Sequence, residues 1–477
     1  MKENLQSQKS CKNSGITLIA LVVTIVVLLI LAGITISLVF SENGIIAKAR
    51  EAVNKTNEAI INEQAQMNDV SSTIENMLNG VGGSVTTPED PELPSDGSYN
   101  EEKGVNTPNL GEGMTPIKWD ETASNGAGDW VETEGSDPDW YDYKNKEWAN
   151  AKTSDGSMWV WIPRYAYSIP SAGYHTSTAA EISIEFMKGT SNEGATGQAI
   201  VEYNDSTTSN YTQFPNGYVI HPAFNYGETV CGIWVAKFEA SSVEGNDDND
   251  TEDNVTTKTV QVKPGVASWR YIYIGTAYTN CLNYNKTLNS HMMKNDEWGA
   301  VTYLSRSKYG KNDEVTINNN SSFYTGGGNG NVYVNNGAQS TTGNVYGVYD
   351  MSGGAWEYVA AYVDNGNSSL TSYGNSLYKN TDTKTKNVYT KASTDNNTNN
   401  YNQNASKYGD AVYETSTSGN GSTSWYSDYS NFSSASTPFF GRGGYCENST
   451  GAGVLAFLNH NGGASSSVSF RPVLVET

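Results

Sequence analysis

Residues 346–359 read YGVYDMSGGAWEYV. Gly347, Gly353 and Gly354 permit tight turns, since a residue without a Cβ reaches backbone conformations closed to the others. Asp350 and Ser352 can bond local amides, and Met351 stands between them. Trp356 and Tyr358 then alternate with Glu357, which is the period of a strand with one aromatic, buried face. Upstream, SMWVWIPRY (157–165) and CGIWVAKFEAS (231–241) read as strands at 158–163 and 232–238. In residues 296–304 the spacing predicts a helix, with Trp298, Val301, Thr302 and Leu304 on one face. Downstream, FFGRGGYC (439–446) carries Arg442, Gly443 and Gly444, and SFRPVLV (469–475) carries Phe470 and Arg471. The two arginines read as buried-edge cations of a domain short of them. Short strands, few helices and long loops predict an irregular α+β domain over 107–477. Within it, 312–344 and 365–436 are Asn, Ser, Thr, Tyr and Gly with few aliphatics, and read as surface insertions that cannot bury a core alone.

The N-terminal side has a different texture. Residues 16–40 carry no charge and match one membrane-spanning helix, because roughly 20 apolar residues cross a hydrocarbon core. Lys2, Lys9 and Lys12 precede the run, so the positive flank predicts a single-pass anchor in the lipid bilayer with all that follows outside the cell. Residues 41–79 read as a helical stalk. Ile46, Val53, Ile60, Met67 and Ile74 recur every seven residues, a stripe that either packs on its own ectodomain or drives self-association of stalks. Residues 80–106, rich in Pro, Gly and acids, read as an extended linker.

Composition excludes several classes. Aliphatics are concentrated in the apolar run, so the ectodomain core must rest on aromatics, drawn from 11 Trp and 31 Tyr. A net charge of -22 argues against nucleic acid as a partner, since phosphate contacts need Lys and Arg. Cys11 lies on the cytoplasmic side. Cys231, Cys281 and Cys446 leave an odd number outside, which is not a disulfide framework; one bridge plus one thiol stays open. The four His show no metal-ligand spacing, and no metal or cofactor is expected. The acidic run 245–254, GNDDNDTEDN, lacks the Gly and distal Glu of an EF-hand and reads as a solvated loop.

Two resemblances sharpen this. KNSGITLIAL, 12–21, resembles a type IV prepilin signal, which implies leader cleavage between Gly15 and Ile16 by a prepilin peptidase. Ala20 stands where that family has Glu, the residue that registers subunits in a fibre. The ordered motifs at 157–165, 231–241, 292–310, 346–359, 439–446 and 469–475 resemble the C-type-lectin-like fold of the formylglycine-generating-enzyme (sulfatase-modifying factor) superfamily. The oxidase of that family would imply copper and a pair of Cys after the RGG segment. Here Cys446 has no second Cys near it and no neighbouring base, so no catalytic residue is assigned and enzyme activity is not expected. The variable proteins of diversity-generating retroelements are a closer resemblance. It implies that residues after the RGG segment display ligand-binding side chains: Tyr445, Glu447, Asn448, Leu455, Phe457, Leu458, His460 and Asn461. Aromatics with Asn, Ser and Gly suit such a face. The expected function is a non-catalytic cell-surface receptor or adhesin for an extracellular protein or glycan, with a minor pilin or pseudopilin carrying the same head as the alternative.

Overall fold

The computed structural model describes residues 99–201, 217–245 and 258–476. The leader, the Gly15–Ile16 junction, the apolar run 16–40, the stalk 41–79 and most of the linker lie outside the described residues, as does most of the acidic run. Among the described residues no helix is long and apolar enough to cross a membrane.

The α+β expectation is corrected to a β-rich fold. Only two α-helices among the described residues exceed seven residues: α1 (Ile274–Tyr284) and α2 (Asn295–Ser305). Alternating Trp, Val, Ile and Tyr favour strands, and the Asn, Ser and Gly between them make turns and single 3-10 turns rather than helices. A seven-stranded antiparallel sheet runs in the order His291–Met292, Pro472–Leu474, Gly232–Ala236, Met158–Pro163, Asn150–Thr153, Met114–Asp120, Asp129–Glu132. The second large sheet is built on Trp356–Asp364. That strand pairs with Asn387–Thr390 and Val468–Phe470 in parallel and with Phe439–Arg442 antiparallel; Phe457–His460 continues from there. A smaller sheet holds Tyr165–Ser168 between Ser183–Phe186 and Tyr218–Ile220. The folded domain takes in residues before 107: Tyr99–Asn100 pairs with Val105–Asn106, and buried Asn106 bonds Gly189 N and Cys231 O.

Three further readings change. Trp356–Asp364 is buried on both faces, not one. One face packs on α1; the other carries Glu357, whose carboxylate takes two hydrogen bonds from Arg471 at 2.9 and 2.6 Å. The stretches 312–344 and 365–436 are not surface additions. Val315, Tyr333, Tyr389, Tyr401, Trp425 and Phe432 from them are buried in the core. An occasional aromatic pins each loop, and Asn side chains satisfy its backbone: Asn404 Oδ1 accepts Thr390 N, and Asn400 Oδ1 accepts Ala392 N. Helix α2 is buried almost all round, so its apolar face was only part of its packing. Glu297 bonds Lys294 N at its start and His291 Nε2.

Two buried carboxyls give the fold a pH dependence. Glu414 accepts from Tyr167 Oη, Tyr303 Oη and Gly409 N at 2.7, 2.7 and 2.6 Å. Burial nonetheless pushes it up to about 7, and burial likewise pushes Glu357 up to about 7 against the pull of Arg471. Their folded pKa values exceed the unfolded ones, so the native state binds more protons and stability falls as pH rises from the unfolded carboxylate range to about 7. Each group can contribute up to about 1.4 kcal/mol per pH unit in that window. Urea midpoints are expected to drop between pH 5 and pH 7, and Glu414→Gln is expected to flatten that slope.

Candidate functional site

The RGG segment leaves the strand Phe439–Arg442 and turns twice. Gly443 and Gly444 have φ of 88° and 79°, and a Cβ on Gly444 would lie 2.5 Å from Ala452, so the turn needs glycine. Arg442 is buried beneath it. Its guanidinium donates to Ala456 O, Asn295 Oδ1, Asp410 O and Ala411 O at 2.8–3.1 Å. Gly353 N and Gly453 N both donate to Gly443 O at 3.1 and 3.0 Å, and Cys446 N donates to Gly354 O at 2.9 Å. The motif at 346–359 therefore carries the loop that follows the RGG segment. That motif is itself tied down. Asp350, at φ 63°, accepts from Asn318 Nδ2 and Gly326 N, and buried Lys237 donates to Gly347 O, Val345 O and Asn150 Oδ1. Met351 is buried, and Phe470 packs in the cluster beside α1.

On this frame the loop 445–448 reaches the surface. Tyr445 N donates to Asn448 Oδ1 and Asn448 N to Tyr445 O, both at 2.9 Å. Tyr445 Oη donates to Glu447 at 3.4 Å. Glu447 is exposed; Tyr445 and Asn448 are half-buried. Beside the loop lies an open groove of about 600 Å3, lined by Cys446, Ser449, Glu314, Val315, Thr316, Ile317 and Asn319. Ser449 holds φ 49°, and the turn packed against it holds Tyr426 and Ser427 at 61° and 68°; left-handed non-glycine residues of this kind gather at functional surfaces.

The proposed display residues separate into three groups. Tyr445, Glu447 and Asn448 share the loop at the groove. Leu458, His460 and Asn461 lie further along, on and just after the strand Phe457–His460, and Asn461 is exposed. Leu455 and Phe457 are corrected: both are 0% exposed. Leu455 N is held by Asp428 Oδ2, and Phe457 pairs with Arg442 across the sheet, so they belong to the frame. The groove wall at 314–319 was missed. It lies some 130 positions upstream, inside a stretch read as an insertion, and no local signal in the sequence links it to Cys446.

Chemically the loop is a surface of one aromatic, one carboxylate and several amides and hydroxyls. Burial pushes the Cys446 thiol up, and Glu447 and Glu239 push it the same way, opposite to what activates a nucleophile. No disulfide joins Cys231, Cys281 and Cys446 to one another. Alkylation of the unfolded, unreduced chain is expected to label all three; a missing pair of labels would contradict this. Among the described residues no group of three or more His, Cys, Asp or Glu is arranged to hold a metal ion. A second, narrower cleft of about 250 Å3 lies at the start of α2, between Asp296, Asn387, Tyr389, Lys407, Tyr408 and Asp410. No protein-family model matches the chain, and no curated protein is significantly similar to it.

Proposed function

We propose that the chain is a cell-surface recognition protein that binds an extracellular protein or glycan through the loop 445–448 and the groove beside it. The observation that carries this reading is the contrast between frame and display. Arg442, Gly443, Gly444, Leu455 and Phe457 are locked by burial and hydrogen bonds, while Tyr445, Glu447 and Asn448 belong to a partly exposed loop whose neighbouring residues Cys446 and Ser449 line an open groove. A rigid frame carrying an aromatic and small polar groups lowers the entropy lost on binding. The raised thiol of Cys446 speaks against that residue as an activated nucleophile. Attachment to the membrane through residues 16–40, with cleavage after Gly15, rests on the uncharged run and the prepilin-like signal alone. The likeness to retroelement-diversified proteins is part of the same proposal.

The test uses the full chain in detergent micelles, applied to a glycan array and to an array of bacterial and host surface proteins. Tyr445→Ala and Glu447→Lys are expected to weaken whatever binds by about tenfold or more, the size of a binding hot spot, with unchanged melting. Lys407→Ala, at the other cleft, is expected to leave binding intact. Equal binding by wild type and both loop variants would contradict the proposal.

A further inference from the structure

Asn461 and Gly462 follow the strand Phe457–His460, and Asn461 is exposed. Gly462 N–H points at Nδ1 of His460 at 3.0 Å, and Gly463 N–H donates to Asn461 Oδ1 at 3.0 Å. A backbone N–H only donates, so the hydrogen-bond network assigns the lone pair to Nδ1. Tyr358 Oη lies 2.6 Å from the same nitrogen and 2.6 Å from Gly463 O, so its proton can go to the carbonyl. Burial pulls the His460 imidazole down to about 4, and the ring is neutral at physiological pH. A nucleophile, a base and a polarised carbonyl thus lie within three consecutive residues and the His before them.

We propose that His460 promotes spontaneous deamidation of Asn461, making this Asn–Gly pair a built-in modification site at the end of the strand Phe457–His460. His460 Nδ1 takes the proton of Gly462 N, and that nitrogen attacks Asn461 Cγ. The new N–Cγ bond closes a succinimide ring while the Cγ–Nδ2 bond breaks. The proton passes to Nδ2, which leaves as ammonia. The Gly463 N–H stabilises the oxyanion that forms on Oδ1 during the attack. Water then opens the imide at either carbonyl, giving aspartate or isoaspartate; no oxidant or reductant is involved. Gly462, at φ 89°, carries no side chain to obstruct the ring. The product adds one negative charge, and in part an extra backbone methylene, on the exposed surface. Two other Asn–Gly pairs among the described residues, Asn329–Gly330 and Asn365–Gly366, lack this arrangement. Gly330 N–H donates to Gly265 O, a carbonyl that takes no proton, and the Asn365 amide is held by Asp395 and Ser434.

The experiment is isoaspartate mapping of the full chain, incubated at neutral pH either folded or in urea. General-base assistance predicts that Asn461 converts about tenfold or more faster in the folded chain than in urea, with Asn329 and Asn365 slower when folded. His460→Gln is expected to remove the acceleration at Asn461 and to leave the other two sites unchanged. The acceleration is expected to fade as pH falls through about 4, where the ring gains its proton. Folded Asn461 converting no faster than in urea overturns the proposal, and so does an unchanged rate in a folded His460→Gln chain. The unmutated comparison stands whether or not that variant folds.

Discussion

Replacing Arg471 by methionine is expected to lower stability by about 3–5 kcal/mol, the cost of leaving a buried carboxylate without its partner. Arg471 is fully buried and spends its donors on both oxygens of Glu357, on Ala236 O at 2.7 Å and on Tyr349 O at 2.9 Å. Those partners belong to the two large sheets and to the glycine-rich motif, so the side chain ties the three together. Asp350 and Glu239 lie within electrostatic reach, and burial pushes both carboxyls up, so one guanidinium answers to three acids. A domain of ordinary stability has about 5–15 kcal/mol in total, and Arg471→Met would consume much of it. The double variant Arg471→Met with Glu357→Leu should recover most of the loss, because a packed apolar pair avoids burying charge. Urea unfolding of the two variants checks this. A loss under about 1 kcal/mol in the single variant, the worth of an exposed pair, would contradict the buried geometry.

Arg442→Met is expected to cost about as much, by a different route. Three backbone carbonyls and the Asn295 amide oxygen would lose their donor inside the core, each at about 1–3 kcal/mol if unsatisfied. The guanidinium also lies over the Trp298 ring, 5.5 Å from its centre. Its acceptors sit at 410–411, at 456 and on α2. Loss of Arg442 should therefore loosen the segment 443–456 as well as lower the melting temperature. Hydrogen exchange at the amides of Gly443, Gly453 and Leu455 is the direct readout. Faster exchange there, with the Met158–Pro163 strand still protected in folded protein, is the expected pattern.

The sequence made part of this legible. The strands at Met158–Pro163 and Gly232–Ala236 followed from runs of aromatic and β-branched residues, and α2 from the spacing of Trp298, Val301 and Leu304. The burial of Arg442 and Arg471 followed from their scarcity amid apolar neighbours. Other features were hidden for physical reasons. Tyr401 and Trp425 each stand alone among Asn, Ser and Thr, so no periodicity marked them as core. Glu357 fits an exposed position by pattern, and only its long-range partner at 471 explains its burial. Leu455 and Phe457 fall between glycines in a stretch without periodicity, so sequence alone did not separate frame from display there. The groove wall at 314–319 meets Cys446 through tertiary packing with no local trace.

The separation of frame from display can be measured without knowing the ligand. Every position from 439 to 471 would be substituted and the folded fraction of the full chain read after a thermal challenge. The account predicts broad tolerance at Tyr445, Glu447, Asn448 and Asn461, intolerance of any side chain at Gly444 and of any replacement of the guanidinium at Arg442, and intolerance of polar or small residues at Leu455 and Phe457. Tyr445, Glu447 and Asn448 proving as sensitive as Leu455 and Phe457 would make the loop part of the core, and the account of a rigid frame displaying a variable surface would fail.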